Sequence, residues 1–246
     1  MILELDCGNS LVKWRVVESV SLGAVARGVA ASIEDLLAQL SGLPGVQILR
    51  SRLVSVRSDH ETKQLVAALA AALGVDIQLA TPARRLGGVA NGYTDYQRLG
   101  MDRWLAMVGA FQLQARAALV IDLGTAVTVD LLDAQGVHLG GYICPGISLL
   151  RRQLHEHTQR IRYDATAAQV QSFDSGPGRS TAEAVERGCR LMLRSFVEAQ
   201  IESARTYLGD DFAVYATGGD AALVADIPRI RCVPDLVFQG LAVACP

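Results

Sequence analysis

The feature that most constrains the fold is a strand–turn–strand pattern that occurs twice. Residues 2–17 (ILELDCGNSLVKWRVV) and 119–132 (LVIDLGTAVTVDLL) each hold an apolar run, then Asp-x-Gly with a small polar residue next, then a second apolar run. A single Asp-Gly pair would indicate only a turn, because both residues are common in turns. The same order in two places, far apart in a chain of 246 residues, predicts a fold of two related halves.

The hydrophobic pattern predicts further strands and helices around these hairpins. Strands are predicted over 2–7, 11–18, 48–56, 76–80, 118–122, 126–132 and 137–143, and a further short apolar run lies near 22–29. Helices are predicted over 33–40 with Ser32 as N-cap, from Asp59 as N-cap to Gly74, and over 102–116, 147–160 and 181–208, the last with Ser180 and Glu183 as a capping box. A strand, a double glycine and a helix follow around 216–221, and a final helix begins near Pro234.

Hairpins followed by helices in both halves predict a mixed α/β chain of two similar lobes. The second half begins where the second hairpin begins, near residue 116. We therefore expect an N-terminal lobe at residues 1–116 and a C-terminal lobe at residues 117–246.

The composition excludes several classes of partner. Half of the residues are hydrophobic and a fifth are charged, which is ordinary for a globular protein. The formal net charge of −2 gives no positive field that would attract nucleic acid, so we expect no nucleic-acid partner. No apolar run reaches the ~18 residues of a membrane span, and the first residues resemble a strand rather than a signal peptide, so we expect no membrane partner. The five scattered cysteines form no C-x-x-C and predict free thiols in a reducing cytoplasm.

Both Asp-x-Gly turns have the chemistry of a phosphate site with a cation. Glycine lets the backbone approach a bulky anion, as Gly8 and Gly124 would, and polar side chains add donors. Those side chains are Asn9, Ser10 and Thr125, with Lys13 as a positive charge on the second strand. The acids Asp6 and Asp122 would repel phosphate by themselves, so they imply a cation such as Mg²⁺ between them and the ligand.

The stretch ATGGDA, residues 216–221, is a third candidate element. Gly218 and Gly219, between a strand and a helix, suit the adenosine or α-phosphate of a nucleotide. Alone, such glycines can serve only to ease chain packing. The chain has no G-x-x-x-x-G-K-[ST], which excludes a P-loop.

Together the three elements resemble the phosphate-1, phosphate-2 and adenosine motifs of the actin-like, sugar-kinase and heat-shock ATPase superfamily. They are Asp6-Cys7-Gly8-Asn9-Ser10, Asp122-Leu123-Gly124-Thr125 and Thr217-Gly218-Gly219-Asp220, in the superfamily's order. The resemblance implies two ribonuclease H-like lobes, each a mixed sheet with flanking helices, and a nucleotide cleft between them. It also implies ATP and Mg²⁺ as cofactors.

The loop NGYTDYQRLGMDRW, residues 91–104, resembles the signature of the type III pantothenate kinases, through Tyr93, Leu99, Gly100, Asp102 and Arg103. The stretches GGYICPG, AVERG and TGGDA also fit that family. Two residues depart from it: Tyr96 replaces a proline of the loop, and Ser10 replaces a threonine of the first turn. The resemblance implies phosphorylation of pantothenate to 4'-phosphopantothenate by ATP, the first step of coenzyme A biosynthesis.

The resemblance also implies a role for each site residue. Asp102 would be the general base, and Arg103 would bind the substrate's carboxylate or amide oxygens. Tyr93, Gly100, Met101 and Thr181 would complete the substrate site. Asp6 would orient Mg²⁺, and Asp122 would bind a monovalent cation, K⁺ or NH₄⁺.

Other interpretations stay open from the residues alone. Asp102 could cap its helix, Arg103 could form a surface ion pair, and Tyr93 could pack on the core. The resemblance implies a homodimer that binds pantothenate and ATP. The alternatives are a kinase for another small acceptor and a catalytically weak, ATP-binding regulatory or accessory protein of the same fold.

Overall fold

The computed structural model describes residues 1–19, 23–163 and 176–246, which form a mixed α/β structure. The strands are β1 (Ile2–Cys7), β2 (Val12–Val17), β3 (Ala24–Ala30), β4 (Arg50–Ser55), β5 (Ile77–Leu79), β6 (Arg85–Leu86), β7 (Val89–Ala90), β8 (Ala118–Leu123), β9 (Ala126–Leu132), β10 (His138–Pro145), β11 (Ala213–Thr217) and β12 (Ile230–Cys232). The α-helices are α1 (Ile33–Ser41), α2 (Asp59–Leu73), α3 (Met101–Leu113), α4 (Ile147–His157), α5 (Thr181–Leu208) and α6 (Leu236–Ala244). Short 3₁₀ helices cover Tyr96–Arg98 and Ala221–Val224.

The described strands form two five-stranded sheets of one topology and a small ribbon of β6 and β7. The sheet orders are β3-β2-β1-β4-β5 and β10-β9-β8-β11-β12. In the first sheet β1 pairs antiparallel with β2 and parallel with β4, and in the second β8 pairs antiparallel with β9 and parallel with β11. The first strand of each predicted hairpin is therefore the central strand of its sheet, and the second strand is its antiparallel neighbour. This equivalence confirms the prediction of two similar α/β lobes.

The chain divides into two compact units that each contain one of the large sheets. The first unit comprises Met1–Ala115, Gly136–His138 and Asp235–Pro246, and the second comprises Arg116–Gln135 and Leu139–Pro234. The expected division at residue 116 gives the last helix to the second lobe, whereas in the structure α6 belongs to the first unit.

Two glycines allow α6 to pack against α3 in the first unit. A Cβ atom on Gly109 would overlap the carbonyl oxygen of Leu236, and one on Gly240 would overlap that of Leu105. Each helix therefore presents a glycine to the backbone of the other. The two helices are 120 or more residues apart in the chain. The local hydrophobic pattern therefore could not predict this close contact.

The alternation of side chains along β1 places different chemistry on the two faces of the first sheet. Leu3 and Leu5 lie in a buried apolar cluster with side chains of α1 and α2, among them Leu36 and Leu65. Glu4 points to the opposite face and is fully buried. The central strand of this sheet therefore carries a buried carboxylate, although its sequence was predicted as an ordinary apolar strand.

Glu4 is held by arginines from both neighbouring strands. The register places it opposite Arg15 of β2 and Arg52 of β4, and both guanidinium groups form ion pairs with it. Arg15 also pairs with Asp235, just before α6, at 2.9 Å, and Arg52 donates to the carbonyl of Cys245, just after α6, at 2.9 Å. The Glu4 network thus binds both ends of α6 to the sheet.

In the second unit, α5 packs on the second sheet and α4 packs on α5. Leu119, Ile121 and Val129 of the sheet share one apolar cluster with Leu193 and Val197 of α5. Five of the buried residues of α5 recur every four positions, from Val185 to Ile201. This is the spacing of one helix face, so one side of the long helix forms the core of the unit.

The predicted N-cap of α2 is wrong by one residue. Ser58 is the cap: its hydroxyl accepts from the Glu61 amide at 3.3 Å, and the Glu61 carboxylate accepts from the Ser58 amide at 3.1 Å. Asp59 is the first helical residue. A capping box of this kind satisfies two backbone amides at once, whereas a cap at Asp59 would not. The S-x-x-E pattern of the capping box is present in the sequence. The predicted ends at Ser32 and Gly74 are confirmed.

Four other predicted helix features differ from the structure, and the first is the end of α3, which lies at Leu113 instead of residue 116. The helix expected to reach residue 160 ends at His157. The helix after the double glycine is only a four-residue 3₁₀ helix, Ala221–Val224. At the start of α5, Ser180 is the N-cap as predicted, but the Glu183 carboxylate accepts from the amide of Arg179 instead of completing a capping box.

All five cysteines are free, as predicted. Within residues 1–19, 23–163 and 176–246, no helix combines the length and the apolar character that a membrane span requires.

The Glu4 network predicts a large effect of one conservative substitution. Glu4→Gln removes the carboxylate charge that two buried guanidinium groups share, leaving Arg15 only its pair with Asp235, and should lower the free energy of unfolding by about 3 kcal/mol. Glu202→Gln removes an exposed pair with Arg205 and should change it by less than about 0.5 kcal/mol. Urea unfolding followed by far-UV circular dichroism measures both, and equal effects would contradict the structural role of Glu4.

Candidate active site

The first turn, residues 6–10, follows directly from the pairing of β1 with β2. The register places Asp6 opposite Lys13, so a carboxylate and an ammonium group stand side by side where the strands end. Asn9 and Ser10 are exposed at the turn, and the Gly8 carbonyl accepts from Arg57 Nε at 2.9 Å. The predicted phosphate-site residues of the first half therefore lie together at one sheet edge.

The helix α3 brings Asp102 to the first unit's site. Gly100 is its N-cap and makes no side-chain capping bond, and Asp102 is its second residue. The Asp102 carboxylate accepts from the amide of the next residue, Arg103, at 2.8 Å. The alternative that Asp102 serves as the N-cap is therefore wrong. A Cβ atom on Gly100 would lie 2.8 Å from Asp102 Oδ1, so glycine leaves room for that carboxylate.

Asp6 and Asp102 are electrostatic neighbours. Burial raises the pKa of Asp6 from 3.8 to about 6, the charge of Lys13 lowers it, and the charge of Asp102 raises it further. Two carboxylates near one lysine form a site where a bound cation would favour the ionised acids. The structure thus brings the first turn and the candidate base together within one unit.

Arg103, the residue after the candidate base, forms a pair with Tyr93. Arg103 is only 5% exposed, and its Nη1 donates to the Tyr93 hydroxyl at 2.8 Å. Its guanidinium carbon lies 5.7 Å from the centre of the Tyr93 ring. The alternative of a surface ion pair is therefore wrong for Arg103. Tyr93 is partly buried and, with Gly92, Thr94, Asp95 and Arg98, lines an open depression of about 580 Å³.

Tyr96, which stands where the sequence resemblance implies a proline, is held by contacts. The guanidinium carbon of Arg84 lies 4.6 Å from the Tyr96 ring centre, and Asn91 Nδ2 donates to the Tyr96 carbonyl at 3.2 Å. Proline would fix the backbone through its ring. Here a cation–π contact and a hydrogen bond restrain the same loop. Met101, also predicted in the substrate site, is 9% exposed at the start of α3.

In the second unit, the second turn, residues 122–125, adjoins the double glycine Gly218-Gly219. The parallel strands β8 and β11 place Asp122 opposite Thr217. Gly218 has φ +94°, and a Cβ atom there would overlap the Asp122 carboxylate and the Leu123 carbonyl. Glycine is required at that position for both reasons. The two predicted elements of the second half therefore meet at the carboxyl ends of neighbouring parallel strands.

Gly146 also supports the second turn. Its amide donates to the Thr125 carbonyl at 2.9 Å, and a Cβ atom on it would overlap the Gly124 carbonyl oxygen. Gly146 was not predicted as a site residue, although it ends the family stretch GGYICPG. The sequence contains one sign of this supporting role, which is a glycine directly before a predicted helix.

A charged cluster lies near the double glycine. Burial raises the pKa of Asp220, and the charges of Arg151 and Arg190 lower it. Arg151 forms an ion pair with Glu186 of α5, which is buried. Neither arginine was predicted. Their positive charge is distributed over side chains far apart in the sequence and is not visible as a motif.

Thr181 lies in the second unit as the first residue of α5 and is exposed. The cap of that helix is Ser180, so the Thr181 hydroxyl is not engaged as an N-cap. Tyr93, Asp102 and Arg103 belong to the first unit. The predicted substrate residues therefore fall into two groups, one on each unit.

The acids suit cations that keep part of their hydration shell. In the part of the chain that the structure describes, no three His, Cys, Asp or Glu side chains cluster closely enough to form a protein-built metal site. Asp6 and Asp122 each offer hard carboxylate oxygens. Mg²⁺ is commonly held by one or two carboxylates, waters and substrate phosphates, and this donor set fits that mode.

The sheets and turns define a class: an actin-like α/β fold of two similar halves, each with a glycine-bearing turn after its first strand. A crystal structure of a Campylobacter jejuni protein named for the Baf transcriptional activator family shares this fold, with a TM-score of 0.61 at 22% sequence identity, over 98% of this chain and 95% of that one.

The sequence comparison is more specific. The family model described as "Type III pantothenate kinase" matches residues 2–203. Type III pantothenate kinases of Pseudomonas fluorescens SBW25 and Pseudomonas syringae pv. syringae B728a are 58% and 60% identical, over 100% of this chain and 99% of theirs. The chain belongs to the type III pantothenate kinase family.

Two glycines offer a matched test of the second turn. Gly146→Ala should lower the free energy of unfolding by about 1–3 kcal/mol and weaken ATP binding, since the new methyl group displaces the Gly124 carbonyl. Gly188→Ala, within α5, has open space for a Cβ atom and should change stability by no more than about 1 kcal/mol, in the stabilising direction. Urea unfolding and calorimetric titration with ATP measure the two effects. An unchanged ATP affinity in Gly146→Ala would contradict the role of Gly146.

The pKa of Asp6 predicts a pH-dependent gain in stability when its charge is removed. Because the folded pKa is about 6 and the ordinary value is 3.8, the folded state loses stability relative to the unfolded state as pH rises from about 4 to about 6. Asp6→Asn should therefore stabilise the protein at pH 7.5, by up to about 3 kcal/mol, and much less at pH 4.5. Urea unfolding in EDTA at both pH values measures this.

The control for this experiment is Asp59→Asn, which changes an exposed carboxylate in the first turn of α2. It should show no comparable gain at pH 7.5. The same gain in both variants, or a gain in Asp6→Asn that does not depend on pH, would contradict the burial of the Asp6 charge.

Proposed function

We propose that this protein transfers the γ-phosphoryl group of ATP to the primary hydroxyl of pantothenate, and so forms 4'-phosphopantothenate at the start of coenzyme A biosynthesis. The observation that carries the proposal is the position of Asp102, which neighbours Asp6 of the first turn and directly precedes the buried Arg103. Close relatives named type III pantothenate kinase support the choice of substrate.

Asp102 is the proposed general base. The substrate hydroxyl gives its proton to an Asp102 oxygen while its own oxygen forms a bond to the γ-phosphorus. The bond from that phosphorus to the bridging oxygen of ATP breaks, and ADP leaves. Asp102 lies in the first turn of α3, where the helix N-terminus carries partial positive charge that suits a carboxylate.

Arg103 is the proposed anchor for the carboxylate end of pantothenate. A guanidinium group binds a carboxylate through a planar pair of donors, which fixes its direction as well as its distance. One donor of Arg103 is used by the Tyr93 hydroxyl, so the group is already oriented before the substrate arrives. Pre-orientation lowers the entropy lost when the substrate is aligned. We propose that Gly100 and Met101 complete this wall, and that Thr181 adds a further hydroxyl.

The glycine turns are the proposed ATP-binding elements. In the first unit, Gly8, Asn9 and Ser10 offer amide and side-chain donors, and Lys13 offers a positive charge. In the second unit, Gly124, Thr125, Gly218 and Gly219 offer a backbone surface that a phosphate can approach closely. A kinase with these parts depends on alignment and on charge neutralisation more than on covalent chemistry.

The proposed cation sites are Asp6 for Mg²⁺ and Asp122 for K⁺ or NH₄⁺. The raised pKa of Asp6 supports the first, because a bound cation would offset the cost of a partly buried carboxylate charge. Cations at these sites would neutralise the charge of the ATP phosphates.

We also propose a homodimer that acts in the cytoplasm. Exposed large apolar side chains on one strand and one helix of the second unit support an interface: Tyr142 and Ile143 of β10, and Leu191 and Met192 of α5. Five free thiols fit a reducing compartment.

The kinase proposal predicts that Asp102→Asn abolishes most of the activity. The amide keeps the size of the side chain but cannot accept the proton, so kcat should fall by about 10²- to 10⁴-fold. ADP release with ATP, Mg²⁺ and K⁺, with and without pantothenate, measures this. Asp59→Asn makes the same substitution in the first turn of α2 and should leave kcat near the wild-type value.

Two outcomes would contradict the proposal. ATP binding without pantothenate-dependent ADP release by the wild-type protein would favour another acceptor or a regulatory ATP-binding protein. Normal turnover by a folded Asp102→Asn would retain the reaction but exclude Asp102 as the base.

A further inference from the structure

The Arg103–Tyr93 pair is in contact with a third side chain, His138. The imidazole ring of His138 is stacked on the Tyr93 ring, with 5.9 Å between ring centres and 15° between ring planes. This lies in the range of offset aromatic stacking. His138 is only 2% exposed, so both the ring and its position are fixed by the protein interior.

Backbone contacts place His138 beside Tyr93. The segment Gly136–His138 belongs to the first unit, although the chain before and after it belongs to the second. The Ala90 amide donates to the Gly136 carbonyl at 2.8 Å, and Ala90 forms a β-bridge with Val137. These contacts extend the β6–β7 ribbon and direct the next residue, His138, towards the substrate loop.

Glycines make this placement tight. A Cβ atom on Gly92 would overlap the carbonyl oxygen of His138, and one on Gly136 would overlap that of Gly88. In both cases the overlapped atom belongs to the backbone, which cannot turn away as a flexible side chain would. The His138 backbone is thus packed directly against the residue that precedes Tyr93.

Tyr93 is restrained at its backbone and at its hydroxyl by other residues. Its amide donates to Asn91 Oδ1 at 3.0 Å, and its hydroxyl accepts from Arg103. Neither contact fixes the plane of the ring by itself. The stacked imidazole supplies that restraint, so the three contacts together define one orientation of the hydroxyl.

We propose that His138 is a positioning residue for the substrate site. It acts through Tyr93: the stacked ring holds the hydroxyl where it orients the Arg103 guanidinium toward the substrate carboxylate. This inference rests on the proposed pantothenate kinase activity. It assigns His138 no contact with substrate and no proton transfer.

The expected result is a selective loss of substrate affinity. His138→Ala should raise KM for pantothenate by about 10- to 100-fold, because a displaced anchor loses alignment. The KM for ATP should change little. His138→Phe keeps an aromatic ring and should recover most of the loss.

Steady-state kinetics with each substrate varied, together with thermal unfolding, tests this. The control is Ile77→Ala, which truncates a buried side chain of β5 in the same unit. It should lower Tm but leave KM for pantothenate unchanged. The double variant Tyr93→Phe/His138→Ala should be little worse than Tyr93→Phe, because His138 acts through the tyrosine hydroxyl.

Each contrary outcome has a separate meaning. An unchanged KM for pantothenate in His138→Ala, or an equal rise in Ile77→Ala, would overturn the positioning role while wild-type turnover upholds the kinase. Additive effects in the double variant would overturn the route through Tyr93. Absence of pantothenate-dependent turnover in the wild-type protein would overturn the proposed function, and the role of His138 with it.

Discussion

The buried carboxylate of Glu4 is the constraint on which the first unit depends. A charge without solvent is costly unless it is paired and hydrogen-bonded, so the folded state must supply both arginines. They come from the two strands that flank β1, and they are opposite Glu4 only in the observed register. The same arginines reach Asp235 and Cys245 at the two ends of α6. One carboxylate therefore connects strand pairing, register and the docking of a helix from the far end of the chain.

This constraint extends to the site because Asp6 lies two residues after Glu4. Residues i and i+2 of a strand share a face, and a shift of register by one residue would move both acids to the other face. The register that pairs Glu4 with its arginines also sets Asp6 opposite Lys13. Asp6 lacks the paired arginines of Glu4, and burial raises its pKa to about 6. The strand thus carries one acid that stabilises the fold and one that a bound cation would stabilise.

The sequence predicted what depends on local order and missed what depends on distant contacts. The two hairpins, both Asp-x-Gly turns and the start of α3 near Asp102 follow from strand alternation, turn residues and helix periodicity. The burial of Glu4 does not, because its partner Arg52 is 48 residues away and β1 otherwise reads as apolar. His138 was also missed: a lone histidine after a turn carries no signal until the structure stacks it on Tyr93. The assignment of α6 to the first unit depends in the same way on two glycines far apart.

In each unit, the turn or loop that carries candidate site residues is held by a contact between two backbone segments. The segments lie so close that no side chain fits between them. In the first unit Gly92 packs on the carbonyl of His138, and in the second Gly146 packs on the carbonyl of Gly124. Such contacts leave little freedom, since protein interiors are close-packed and a backbone cannot change rotamer. Proximity and alignment are what phosphoryl transfer demands of a protein, so rigidity at these turns serves the proposed chemistry directly. Gly92, Gly146 and Gly218 therefore share one physical origin: each is placed where a β-carbon would overlap an atom of a site residue or of its immediate neighbour.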